Sequence, residues 1–88
     1  MRIGAMIGGE SAGEVVRRAR DLELRGFDSV WIGAFLGYGL EALTAMTLIA
    51  RETRRIELGT AVVPIYFHHP LALADQAVSI KQVAGGRF

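Results

Sequence analysis

Three short apolar runs, each followed by a stretch with helical spacing, divide the chain. Residues 2–7 are largely apolar and close on Gly8-Gly9, the pattern of a buried strand ended by a turn. Ser11-Ala12-Gly13-Glu14 has capping-box spacing, a hydroxyl and a carboxylate placed to satisfy the first free N–H groups of a helix. Val15, Val16, Ala19 and Leu22 then fall on one stripe with arginines and acids opposite, and Gly26 supplies the stop. Residues 28–32, led in by Phe27, are aromatic and β-branched enough for a second strand, and the three glycines of residues 33–39 make a loop. Leu40, Leu43, Thr44, Thr47 and Ala50 form the next helical stripe, with Arg51 to Arg55 suited to the negative end of its dipole. Residues 56–63 read as a third strand, which Pro64 stops by removing a ladder donor. The third helix spans residues 71–84, with Leu73, Ala74, Ala77, Ile80 and Ala84 inward, and Gly85-Gly86 ends it.

The pattern is βα repeated three times, at a strand spacing of roughly 26–28 residues, the size of one such unit. It predicts parallel strands at 2–7, 28–32 and 56–63, adjacent in the order one, two, three, with right-handed crossovers and helices on one face. Such a sheet has open edges, so the chain pairs with a copy of itself as a homo-oligomer or forms part of a larger sheet. The composition sharpens this. Only 88 residues are present, one domain's worth, yet 51% are hydrophobic, more apolar surface than so short a chain hides alone.

Charge excludes rather than identifies. Ten Lys+Arg stand against nine Asp+Glu, and no basic patch interleaved with aromatics points to nucleic acid. No run of about 18 apolar residues points to a membrane. The absence of cysteine removes disulfide and thiolate chemistry and suits a reducing cytoplasm. The N-terminal apolar run is too short for a signal peptide.

Several motifs invite chemistry. The first βα turn, residues 4–13, does not fit Gly-x-Gly-x-x-Gly in any register, and no Gly-Lys-Ser/Thr occurs anywhere. It reads as a structural turn, with an anion at the helix N-terminus as the alternative. His68-His69 lacks a third ligand at useful spacing, so a metal is not indicated. The pair reads as helix entry before Pro70, with one histidine free to line a pocket. No serine stands in a triad pattern with the histidines, and the carboxylates lie on helices and at strand starts. What remains is apolar: Met6, Ala34, Phe35, Val62 and Tyr66 fall at strand carboxyl ends, where parallel α/β proteins gather ligands, and they suit a flat ring system.

A series of segments then becomes distinctive: Phe27-Asp28-Ser29-Val30-Trp31-Ile32, Glu41-Ala42-Leu43-Thr44-Ala45, Arg55-Ile56-Glu57-Leu58-Gly59-Thr60-Ala61-Val62-Val63-Pro64, His69-Pro70-Leu71-Ala72-Leu73-Ala74 and Gly85-Gly86-Arg87-Phe88. In this order and spacing the chain resembles the luciferase-like monooxygenase superfamily, in particular its deazaflavin (coenzyme F-420)-dependent oxidoreductases. The resemblance implies a (β/α)8 TIM barrel several times longer, of which residues 1–88 are a single partial domain, the first three βα units and the opening of a fourth strand. It implies hydride transfer between coenzyme F-420 and a small organic substrate, with FMN-dependent monooxygenation as the alternative. A non-catalytic, self-associating α/β module is the reading from outside the enzymes. By resemblance, Ala34, Phe35, Thr60, Ala61 and Val62 contact the cofactor ring, Met6 and Tyr66 line the substrate pocket, and a bulge with a cis peptide bond joins Ala61 to Val62. Relatives often carry an acid and a histidine where this chain has Ala34 and Phe35, so no residue is assigned a catalytic role and the 88-residue chain alone is expected to have no turnover.

Overall fold

The computed structural model describes residues 1–8, 11–33, 39–63, 66 and 68–88. They form β1 (Gly4–Ile7), α1 (Ala12–Leu24), β2 (Ser29–Ile32), α2 (Ala42–Glu52), β3 (Glu57–Thr60) and α3 (Pro70–Val83). The three strands are parallel in the order β1-β2-β3, as the repeat predicts. Each strand is shorter than its apolar run. Val63 lies beyond β3, although Ala61 still donates its N–H to Ile32 O at 2.8 Å.

Alternation along β2 shows how the sheet is used. Val30 and Ile32 are fully buried under the helices, whereas Trp31 between them is 42% exposed on the opposite face. In-register pairing extends this to both neighbours: Met6, Trp31 and Gly59 share one rung, and Ile7, Ile32 and Thr60 share the next. One face is therefore a helix-packed core and the other an open surface. The core gathers Val15 and Ala19 of α1, Met46 and Ile49 of α2, and Ile56 and Ile80 around the β2 side chains.

Local chemistry starts each helix. Ser11 caps α1, its Oγ accepting the Glu14 N–H at 3.3 Å. Only half of the capping box forms, because the Glu14 carboxylate turns to Arg17 instead of back to Ser11. Glu41 caps α2 and His69 caps α3, with Pro70 in the first turn where its missing N–H does no harm. Of the stripe expected on α2, Leu43 and Ala50 are buried but Thr44 and Thr47 are exposed. Being the central helix, α2 packs against α1, α3, β2 and β3 together. Its buried arc is thus too broad for one stripe and also takes in Ala42, Ala45, Met46 and Ile49. The edge helix α3 buries only Ile80, followed by Ala84 at its cap; Leu73 and Ala77 are half-buried and Ala74 is exposed. No described helix is long and apolar enough to cross a membrane.

The amino ends of the strands are tied by polar side chains. The Glu23 carboxylate accepts the N–H groups of Arg54, Arg55 and Ile56 at 3.0, 2.6 and 2.9 Å, three consecutive donors leading into β3. Burial pushes this carboxyl up, but those donors and the Arg55 charge outweigh it and hold it below its ordinary 4.5. Asp28 accepts from the Ile3 N–H at 2.7 Å, and Arg2 pairs with Glu57. Arg87 spreads its guanidinium over the carbonyls of Ala50, Thr53, Ile56 and Ala84 and the Thr53 hydroxyl, at 2.7–3.1 Å. Its own carbonyl accepts the Leu58 N–H at 2.9 Å, so the Gly-Gly-Arg-Phe segment already lies along the edge of β3.

Candidate functional site

The candidate site is the open face of the sheet at its carboxyl end. Its lower rung is built around Trp31. The indole N–H donates to Ser29 Oγ at 2.9 Å, fixing one end of the ring. A Cβ placed on Gly59 would lie within 2.5 Å of the benzo carbon Cε3, and one on Gly4 would lie 3.0 Å from Nε1 and strike Ser29 Oγ. The indole therefore lies flat across all three strands, with its six-membered ring resting on β3. Only glycine at positions 4 and 59 leaves room for it.

The next rung is nearly bare backbone. A Cβ on Gly33 would meet Ala61 O and Met6 Cε, each at 3.2 Å, which brings the ends of β1, β2 and β3 together. The peptide bond between Ala61 and Val62 is cis, the geometry that the resemblance implies there. Val62 is 76% exposed, Met6 63% and Tyr66 92%. Thr60 is different: it pairs with Ile32 and shares that residue's helix-facing parity, so the backbone alternation turns it away from the open face. Ala34 and Phe35 lie outside the described residues. The structure thus brings Met6 and Ala61 to one surface, with Val62 following directly.

Among the described residues, an acid that sequence reasoning did not single out stands at the start of α2. Glu41 accepts from the Leu43 N–H at 2.8 Å, the Thr44 N–H at 3.0 Å and the Thr44 hydroxyl at 2.9 Å. Burial raises its carboxyl, but these donors and the nearby His68 together hold it below the usual 4.5. A carboxylate so committed to a helix N-terminus stays ionised and is a poor proton donor near neutral pH. Its spacing, three residues before Thr44, was the available signal, since a carboxylate caps much as Asp does. His69 is also committed, its Nδ1 accepting the Leu71 N–H at 3.1 Å. Among the described residues no group of three His, Asp or Glu side chains could hold a metal ion.

These surfaces suit one face of a flat, redox-active ring. The glycines let a ring approach the backbone, Met6 and Val62 give apolar edges, and no described carboxylate intrudes. The described residues thus suit the ring of a flavin or deazaflavin.

Comparison with known proteins gives the same picture. The chain is 38% identical over 79 residues to 4-hydroxyprotoasukamycin monooxygenase of Streptomyces nodosus subsp. asukaensis, an alignment covering 78% of this chain and 21% of that protein. It is 29% identical to a Mycobacterium tuberculosis protein that carries the name of a coenzyme F-420-dependent oxidoreductase, over 99% of this chain and 25% of the relative. The fold superposes on a monooxygenase from Streptomyces bottropensis with a TM-score of 0.83 at 29% identity, covering 99% of this chain and 31% of that one. The chain thus spans about a fifth to a third of these proteins, and its βα units correspond to part of the longer fold. The family profile described as luciferase-like monooxygenase matches residues 1–88 from end to end, and the chain belongs to that family.

Proposed function

We propose that this chain is part of a luciferase-like oxidoreductase that holds a coenzyme F-420 ring against the carboxyl ends of β1, β2 and β3 and passes a hydride between it and a small organic substrate. The observation that carries the proposal is the bare rung of Gly33 and Ala61, reached from the rung below by the Met6 methyl, into which a flat ring fits; Glu41, at the start of α2, is committed to a cap. Bound there, the deazaflavin supplies the hydride chemistry itself. The chain's residues position and shield it. Ala61 lets the ring come close to the backbone, Val62 and Met6 flank it and exclude water, and Ala34, Phe35 and Tyr66 complete the wall. Thr60 contributes through its backbone.

The deazaflavin is supported by the coenzyme F-420-dependent relative, whose similarity runs through 99% of the chain. The second reading, monooxygenation with FMN, is favoured by the higher identity, 38%, to a monooxygenase. Oxygen separates the two. The intact protein is mixed with reduced F-420 or reduced FMN and candidate substrates, with and without oxygen. Substrate-dependent oxidation of F-420 without oxygen is the expected result; oxygen uptake coupled to FMN oxidation and substrate would replace it with the second reading.

A further inference from the structure

We propose that Trp31 is the floor of the ring site and limits how deep a bound ring descends between the strands, an inference that rests on the oxidoreductase proposal above. Three observations place it there. Trp31 is on the open face, 42% exposed, while its neighbours Val30 and Ile32 are buried under the helices. It stands one same-face step below Gly33 and, through its partner Gly59, below Ala61, a drop of about 7 Å for two residues of strand. It is also fixed. The Ser29 hydroxyl holds Nε1 at 2.9 Å, and the glycines at 4 and 59 seat the ring against the backbone of the outer strands.

An indole seated in this way is an unusual choice for mere filling. Barrel interiors are filled by layers of branched aliphatic side chains, each strand giving one residue to its layer. Here β3 contributes no side chain to the rung, so the indole spreads from β2 over Gly59, and Gly4 below β1's Met6 leaves its other end clear. The edge of the indole toward the carboxyl ends therefore borders whatever lies against the bare rung of Gly33 and Ala61. A large, rigid aromatic surface at that depth stacks on the edge of a ring or stops it. Met6, on the rung of Trp31, closes the β1 side.

The test uses the intact protein with Trp31→Phe, Trp31→Ala and Ser29→Ala. The fluorescence difference between wild type and Trp31→Phe isolates Trp31, and acrylamide reports its access to solvent. F-420 and FMN are the probes, bound without substrate. The expected result is that acrylamide quenches Trp31 in the free protein and that bound cofactor protects it. Trp31→Ala should weaken cofactor binding roughly tenfold, with Phe and the Ser29 variant between it and wild type. Trp31 closed to acrylamide before cofactor is added would make it a packed interior layer and overturn the proposal, as would Trp31→Ala or, where that variant does not fold, Trp31→Phe binding cofactor like wild type. Failure of the wild type to bind either cofactor would overturn the oxidoreductase proposal instead, with acrylamide access then deciding alone whether Trp31 faces an open cavity.

Discussion

The two ends of the same small sheet are built on opposite principles. At the amino end charged side chains tie the backbone together: Glu23 before β3, Asp28 beside β1, and Arg87 over four carbonyls. At the carboxyl end the rung is glycine, alanine and exposed apolar side chains. The difference teaches where stability and chemistry reside. Polar contacts that fix strand starts leave the strand ends free of groups that would compete with a ligand, the division of labour expected of a barrel.

Removing Arg87 should break the comparison most severely. Arg87→Ala withdraws the guanidinium donors from four carbonyls and the Thr53 hydroxyl, at a cost of about 3 kcal/mol or more in urea unfolding. Arg87→Lys should recover only part, since an ammonium cannot span the same fork. A loss under about 1 kcal/mol for the alanine variant would show that the amino end does not hold the fold together.

Glu23→Gln comes next, at about 2 kcal/mol, because three N–H donors lose a carboxylate. It carries a pH signature. The folded-state value lies below the ordinary 4.5, so the charged form's contribution is full above that value and is lost as pH falls through the lower folded value. Wild type should therefore lose stability below about pH 4.5, and the glutamine variant should lose less over the same range. Parallel acid curves for the two proteins would contradict this.

A smaller effect is expected in the middle of the sheet. Gly59→Ala drives a methyl group into the Trp31 ring, and the indole is held at its other end by Ser29. About 1–3 kcal/mol of destabilisation, with a shift in Trp31 emission, is expected. Smallest of all, Val62→Ala should change unfolding by no more than about 0.5 kcal/mol, because the side chain is 76% exposed, while weakening cofactor binding in the intact protein.

Strand number, order and direction were legible in the sequence because each depends on apolar runs and glycine punctuation, both local signals. The cap at Ser11 was legible for the same reason. The phase of α2 was not. A helix covered on three sides has no single polar face, so Thr44 and Thr47 looked inward, whereas the helix turns them to the surface, where their hydroxyls bond to Glu41 and to the Leu43 carbonyl. The Glu23 and Arg87 ties span 31 to 37 residues and depend on how the units stack, which no local pattern encodes. The site was half legible. Glycine inside a strand, at 4 and 59, signals a close approach, but naming Trp31 as the group that approaches requires the pairing register.

Arg87 also dictates where this fold can be cut. A designer recombining barrel pieces, or permuting the chain, would naturally divide it after the last helical residue of α3. Such a cut strips the clasp from the carbonyls of Ala50 and Thr53 and removes the strand-edge partner of Leu58, so α2 and β3 fray although their own residues are intact. A unit exchanged as a block has to include Arg87 and Phe88, which packs against the core. The modular boundary therefore falls after the Arg87 clasp and not at the end of the helix.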